Sequence, residues 1–162
     1  PALFFTIVLM FVGASPGSTG GGVKTTTFGI TVGSIRTTIR GRAEVVIFKR
    51  RLAPDTVDRA FAVSLIAFLG VNAAAGLLLI SEGQDLLRTL FETTSAFGTV
   101  GLSTGLPGHA VSLAGGYSPL GKLALMAMMF MGRVGPLTLA VALAGRGPAP
   151  RVRYPEGKVM IG

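Results

Sequence analysis

One uncharged apolar stretch, Ala60–Ile80, restricts the fold of this chain more than any other feature. Its length matches the about 20 apolar residues that a helix needs to cross the roughly 30 Å hydrocarbon core of a bilayer. The composition agrees, because 49% of the 162 residues are hydrophobic and only 14% are charged, with a mean hydropathy of +0.65. These values differ strongly from those of a soluble globular domain and predict a membrane protein.

Two further segments are long enough to cross a bilayer. Residues 119–144 are apolar apart from Lys122 and Arg133. Residues 1–50 begin as an apolar run, are interrupted by "GASPGSTGGG" and resume as "VKTTTFGITVGSI". Because Pro and Gly break helices, we expect this segment to cross as one interrupted helix. The chain starts without the charged region and cleavage site of a signal peptide, so we also expect further sequence before it.

Basic residues predict how these spans are oriented, because Lys and Arg near the ends of a span favour the cytoplasmic side. The connection between the first and second spans is strongly basic, and so is the tail at 147–162, whereas the link after Ile80 reads "SEGQD". This pattern predicts three crossings of the plasma membrane, with the basic connection and the C-terminus in the cytoplasm. The basic residues of the connection are Arg36, Arg40, Arg42, Lys49, Arg50, Arg51 and Arg59.

Charge and residue types exclude several functional classes. The chain has 15 Lys and Arg against 7 Asp and Glu, but the basic residues lie between apolar spans and form no stripe on a soluble face. Nucleic acid is therefore not predicted as a partner. Cysteine is absent and His109 is the single histidine, which excludes thiolate and multi-histidine metal sites within this chain. We expect no cofactor.

Residues 84–105, between the second and third spans, are too short and too polar at their end to cross. Apolar side chains recur at helical spacing at Leu86, Leu87, Leu90 and Phe91. They predict a short amphipathic helix that ends near Phe97 and is followed by an irregular segment. A half-helix with an extended return is the pattern of a re-entrant pore loop. The predicted fold class is an all-α membrane protein with helix, pore loop and helix repeats of potassium-channel type.

The four residues after this helix, Thr99, Val100, Gly101 and Leu102, are the most informative ones in the chain. Potassium filters are built from backbone carbonyls of TVGYG-type segments, which replace the hydration shell of the ion. Glycine adopts positive φ without steric cost and can aim carbonyls at one axis, while the negative C-terminal end of the half-helix favours a cation. A chance occurrence of these letters in a strand or turn is the alternative, and the position between two spans argues against it.

Two enzyme motifs match only in part. "GLSTG", at 101–105, has the form of a nucleophile elbow with Ser103 as nucleophile, but no preceding buried strand is predicted and no acid is placed to orient His109. The glycine-rich stretch resembles a phosphate-binding loop, yet one residue separates Gly22 from Lys24, where that motif requires them to be adjacent. A membrane-embedded hydrolase is thus one alternative function, and a structural subunit of a membrane assembly is another.

Four segments together resemble the Trk/Ktr/HKT superfamily of potassium-translocating membrane subunits, and the Ktr-type bacterial subunits most. They are "FVGASPGSTGGGVKTTTF", "FETTSAFGTVGLSTG", "MFMGRVGPLTL" and the closing "YPEGKVMIG". In that family one polypeptide carries four helix, pore loop and helix repeats around a single pore. By resemblance, residues 1–50 are the second membrane helix of the third repeat, with an intramembrane loop at 13–22. Residues 51–146 are the fourth repeat, in which spans at 60–80 and 119–144 flank a pore helix and filter at 84–105. Residues 147–162 are the cytoplasmic tail.

The resemblance also implies roles for individual residues. Thr99 to Leu102 would supply one quarter of the selectivity filter, and Arg133 would be a positive barrier below it. The segment that interrupts the first span would be a gating loop, with Lys24 as a candidate anchor at its end. An ungapped match of "LMFVGASPGST" with "MMFMGRVGPLT" places Gly13 on Gly132 and agrees with this assignment. The loop residues are Ser15, Pro16, Gly17, Ser18, Thr19, Gly20, Gly21 and Gly22.

An alternative for this loop is close helix packing by small residues, which is common in membranes. The family further implies K⁺ as the transported ion, with Na⁺ preference and sodium coupling left open, and no catalysed reaction. The implied partners are the lipid bilayer, the N-terminal repeats of the same polypeptide, a second copy in a homodimer, and a cytoplasmic ring of nucleotide-binding regulatory subunits.

Overall fold

The computed structural model describes residues 2–41, 44–47, 50–138 and 142. These residues are mostly helical, in agreement with an all-α membrane protein. Their helices are α1 (Ala2–Phe11), α2 (Thr25–Ile39), α3 (Pro54–Glu82), α4 (Leu86–Gly98) and α5 (Pro119–Val134), with a short 3₁₀-helix at Leu113–Gly116. Two short strands, β1 (Val46–Ile47) and β2 (Arg50–Arg51), form an antiparallel pair in the basic connection. Arg42, Lys49, most of residues 139–144 and the tail at 147–162 lie outside the described residues.

Helix α3 contains the predicted span 60–80. Pro54 occupies its first turn, where no intrahelical partner for a backbone N–H is needed, and Gly83 ends it in the left-handed conformation with φ of 62°. Within the described part of the chain, α3 is the one helix that is both long and apolar enough to cross a membrane. Most of its central side chains stay uncovered by the other helices, as expected for a surface that contacts lipid.

The first and third predicted spans are interrupted. Helix α1 ends at Phe11, residues 12–24 are not helical, and α2 starts at Thr25. Helix α5 ends at Val134, because Gly135 has φ of 99° and residues 136–138 resume a helix beyond it. Arg133 therefore lies in the last turn of α5 and not in the middle of a continuous helix. A cation is favourable there, since the C-terminal end of a helix is partially negative.

Helix α4 lies at the centre of the fold and packs against α1, α3 and α5. Asp85 starts it by accepting a hydrogen bond from the Leu87 N–H at 3.2 Å. The helix was predicted to bury one apolar face, but Thr89 and Thr93 are fully buried while Leu86 is 54% exposed. The reason is that helices surround its C-terminal half on several sides, so its polar residues are covered as well.

Candidate functional site

The backbone after α4 takes up an unusual conformation. Thr99 has φ of 52° and Gly101 has φ of 82°. Positive φ is free of strain for glycine but costs about 1–3 kcal/mol for another residue, and a β-branched one such as Thr99 is a clear outlier. Strained residues of this kind cluster at functional sites, where surrounding contacts hold them in place.

Short hydrogen bonds hold this segment against the end of α4. The Val100 N–H donates to the Ser95 carbonyl at 3.0 Å, and the Ser95 hydroxyl donates to the Leu102 carbonyl at 2.6 Å. By contrast, the carbonyl oxygens of Thr99, Val100 and Gly101 accept no hydrogen bond from the described residues. Three successive carbonyl oxygens thus have no hydrogen-bond donor among the described residues, whereas the fourth, that of Leu102, is bound by Ser95.

The segment that interrupts the first span is a closed loop. Val12 and Val23 form an isolated bridge, in which the Gly13 N–H donates to the Val23 carbonyl at 2.8 Å and brings the two ends of the loop together. Gly17 and Gly22 have φ of 84° and 81°. A Cβ on Gly13 would overlap the carbonyl oxygen of Gly21. The glycines are therefore needed for the turns and for the close approach of the backbone to itself.

This loop contacts the end of α4 directly, although 78 positions separate them in the sequence. The Gly21 N–H donates to the Thr99 hydroxyl at 2.9 Å. A Cβ on Gly21 would stand 2.8 Å from the Phe97 carbonyl oxygen and 3.0 Å from the Thr99 hydroxyl. The structure thus brings the predicted loop and the predicted filter residue together.

Two cationic side chains bind carbonyls of the same loop. The Lys24 ammonium donates to the Gly20 carbonyl at 2.6 Å and to the Ser18 carbonyl at 3.5 Å. From the last turn of α5, the Arg133 guanidinium donates to the Thr19 carbonyl. Charge-assisted hydrogen bonds are roughly twice as strong as neutral ones. Two charged side chains, one at the end of the loop and one on α5, therefore hold three successive carbonyls of the loop.

Sequence reasoning missed two glycine contacts at this site. Helix α5 lies so close to the end of α4 that a Cβ on Gly132 would overlap the Phe97 carbonyl. Similarly, a Cβ on Gly98 would stand 2.8 Å from the Met10 carbonyl of α1. The alignment of Gly132 with Gly13 was a signal for such a contact, but it did not indicate the partner.

A buried acidic side chain was missed as well. Glu92 on α4 is 5% exposed, and its Oε1 atom accepts from the Ser103 hydroxyl at 2.6 Å and from the Thr104 N–H at 2.8 Å. Tyr117 is buried nearby, and burial, followed by the charge of Glu92, raises the pKa of its phenol to about 12. The phenol is neutral at physiological pH.

Ser103, the candidate nucleophile, has no elbow around it. The residues between α4 and Ser103 have no regular secondary structure, and the described strands lie elsewhere, in the basic connection. Its hydroxyl donates to Glu92 and accepts from the backbone N–H groups of Gly105 and Leu113 at 3.1 and 3.0 Å. These contacts give Ser103 a role in holding the chain, because its hydroxyl is bound to Glu92 on α4 and to backbone N–H groups of the following segment.

A short central helix leads into three carbonyl oxygens that accept no hydrogen bond from the described residues, and backbone carbonyls are the groups that coordinate cations in channel filters. Comparison with known families agrees, because the model of the TrkH family, described as a cation transport protein, matches residues 2–152. The chain therefore belongs to the TrkH family. Its similar proteins are ion transport proteins and not enzymes.

Alignments with individual relatives cover nearly the whole chain. The chain is 40% identical to the Ktr system potassium uptake protein D of Bacillus subtilis (strain 168), in an alignment that covers 99% of this chain and 34% of that protein. It is 39% identical to the Ktr system potassium uptake protein B of Vibrio alginolyticus, with 100% and 34% covered. It is 33% identical to the potassium/sodium uptake protein NtpJ of Enterococcus hirae, with 99% and 35% covered. The chain spans about one third of the length of these relatives.

Proposed function

We propose that this chain is about one third of a pore-forming subunit for potassium uptake, in which Thr99, Val100 and Gly101 supply one quarter of a carbonyl filter. The observation that carries the proposal is the set of three successive carbonyls without a hydrogen-bond partner among the described residues, directly after the negative end of α4. Free carbonyls near a helix C-terminus are suited to replacing the hydration shell of a monovalent cation. Leu102 is a weaker candidate, because its carbonyl is held by Ser95.

The loop at 13–22 is proposed to be the gate. Non-helical backbone at membrane depth is tolerated where protein covers it or where it lines a water-filled cavity. Residues 15–19 are exposed, and the loop lies directly against Thr99, so it stands beside the proposed ion path. The packing alternative is less well supported, because it requires a continuous helix where residues 12–24 are not helical.

Arg133 is proposed to act in two ways. Its charge beside the filter repels cations, strongly so where water is scarce. Its hydrogen bond to the Thr19 carbonyl also holds the loop in place. Lys24 is also proposed to hold the loop in place, through its hydrogen bonds to the Gly20 and Ser18 carbonyls.

The remaining proposals concern the complete protein. The filter requires three further segments from upstream repeats, since one chain segment cannot surround an ion. We propose a multi-pass plasma-membrane protein with a cytoplasmic C-terminus, forming a homodimer on a nucleotide-binding regulatory ring. The proposed transported ion is K⁺. Whether its transport is coupled to Na⁺ is decided by the flux experiment that follows.

Flux measurements on the full-length protein test this function. Reconstituted in liposomes, it should accumulate K⁺ down an imposed gradient, and comparison with and without Na⁺ decides whether the two ions are coupled. A folded, correctly inserted protein that moves neither ion would contradict the proposal.

Replacing Lys24 by Met should accelerate potassium uptake. The substitution removes the hydrogen bonds to the Gly20 and Ser18 carbonyls, and the loss of about 1 kcal/mol from the closed loop corresponds to a roughly fivefold higher initial rate. Lys122→Met, which removes the same charge from α5 at a site away from the loop, is the matched control and should leave the rate unchanged. Equal rates in the parent and in well-expressed Lys24→Met would show that Lys24 does not anchor a gate.

A further inference from the structure

Among the residues that the structure describes, no cationic side chain pairs with the buried carboxylate of Glu92. Its side chain is 5% exposed, and the ion pair found among the described ranges joins Arg51 to Glu44, far along the chain. A buried charge is costly unless hydrogen bonds compensate it. In Glu92 the compensation comes from neutral donors on the chain that follows the proposed filter, since Oε1 accepts from Ser103 and from both the N–H and the hydroxyl of Thr104.

These hydrogen bonds hold the chain against α4 immediately after the carbonyls of Thr99, Val100 and Gly101. The Ser95 hydroxyl holds the Leu102 carbonyl at 2.6 Å, and Glu92 holds the next two residues. Ser103 in turn accepts from the N–H of Leu113 at 3.0 Å, which connects α4 to the segment leading into α5. The position of Glu92 therefore determines where the filter segment ends.

A cavity of about 340 Å³ lies beside this segment, with Glu92, Ser95, Thr99, Gly101 and Ser103 among its lining residues. A backbone segment next to such a space has room to move once its attachment is lost. The hydrogen bonds of Glu92 thus oppose a displacement that packing alone does not prevent.

We infer that Glu92 is a positioning residue that sets the ion selectivity of the pore, by binding Ser103 and Thr104 and so holding the free carbonyls of Val100 and Gly101 in a defined orientation. This inference rests on the proposed function, because it requires that residues 99–101 contact the ion. It adds a charged residue on α4, outside the filter segment, to the determinants of selectivity.

The chain offers a matched control for this role. Glu82, at the end of α3, accepts from the Ser118 hydroxyl at 2.6 Å and from the Ser118 N–H at 2.9 Å. Like Glu92, Glu82 accepts hydrogen bonds from a hydroxyl and from a backbone N–H, but its partner lies at the start of α5 and not beside the filter segment.

The experiment compares the ratio of initial K⁺ to Na⁺ uptake in the full-length protein carrying Glu92→Gln or Glu82→Gln. Glu92→Gln keeps the shape of the side chain but removes its charge, and should lower the ratio about fivefold or more, the effect of one weakened hydrogen bond. Glu82→Gln should leave the ratio unchanged. Ser103→Ala should lower the ratio as well. In the double variant Glu92→Gln, Ser103→Ala, the fold decrease of the ratio should be smaller than the product of the two single decreases, because both substitutions act on one contact.

Three outcomes would overturn the inference. The first is an unchanged ratio of K⁺ to Na⁺ uptake in a Glu92→Gln variant that inserts into the membrane, and the second is an equal fall of this ratio in Glu82→Gln. The third applies if Glu92→Gln does not insert: an unchanged ratio in both Ser103→Ala and Thr104→Val. Gly101→Ala separates this failure from that of the proposed function. If Gly101→Ala changes the ratio and the Glu92 variant does not, the filter stands and the positioning role is wrong; if neither changes it, both are wrong.

Discussion

Deleting Ser18–Gly21 is expected to raise the initial rate of potassium uptake by about tenfold or more, the change that about 1.4 kcal/mol of barrier produces. The deletion removes the part of the loop that contacts Thr99 and the carbonyls that bind Lys24 and Arg133. The rate is measured as initial potassium uptake normalised to protein in the membrane. A variant that inserts well, keeps its potassium affinity and transports no faster would favour small-residue packing over a gate.

Arg133→Ala should act in the same direction, because it removes both a repelling charge and the hydrogen bond to the Thr19 carbonyl. Since Thr19 lies within the deleted residues, the combined variant should gain less than the two single effects predict. Arg59→Ala removes an equal charge from the exposed start of α3 and serves as the control. Full additivity would mean that Arg133 and the loop oppose ion flow independently.

Replacing Gly101 by Ala is expected to lower the ratio of K⁺ to Na⁺ uptake by about tenfold, since positive φ costs an L-residue roughly 1–2 kcal/mol. Apart from the neighbours in the chain, no atom of the described residues lies within 4 Å of the added Cβ, so within this chain the expected effect comes from the backbone conformation. Uptake of both ions is measured at equal protein level in the membrane.

Gly108→Ala is the matched control for this variant. Gly108 also has positive φ, of 79°, and open space around its Cβ position, but it lies in the loop beyond the filter segment. The same backbone cost should therefore leave selectivity unchanged. If Gly101→Ala keeps the parental ratio, or if Gly108→Ala lowers it equally, Gly101 does not belong to the filter.

The sequence was sufficient to predict features that depend on local composition. The apolar length of residues 60–80 predicted α3, and the spacing of leucines predicted a helix ending near Phe97, which α4 confirms. The positive φ of Gly101 follows from the freedom of glycine. Each of these results needs only the residue itself and its neighbours along the chain.

Contacts between distant residues could not be predicted in this way. Nothing in the local sequence indicates that the Gly21 N–H reaches Thr99 or that Glu92 binds Ser103, because the partners are brought together by the packing of separate helices. The burial of Thr89 and Thr93 was missed for the same reason, since it depends on the helices around α4. The two-residue strands β1 and β2 are too short to show a period.

Among the described residues, three side chains hold the closed loop at residues 18–21: Thr99 after α4, Lys24 before α2 and Arg133 on α5. Breaking one of these attachments lowers the barrier to displacement and leaves the other two in place. Displacement of the whole loop breaks all three, which makes it a cooperative event. If the loop is the proposed gate, this cooperativity predicts that a complete pore switches between two conductance levels without a graded series.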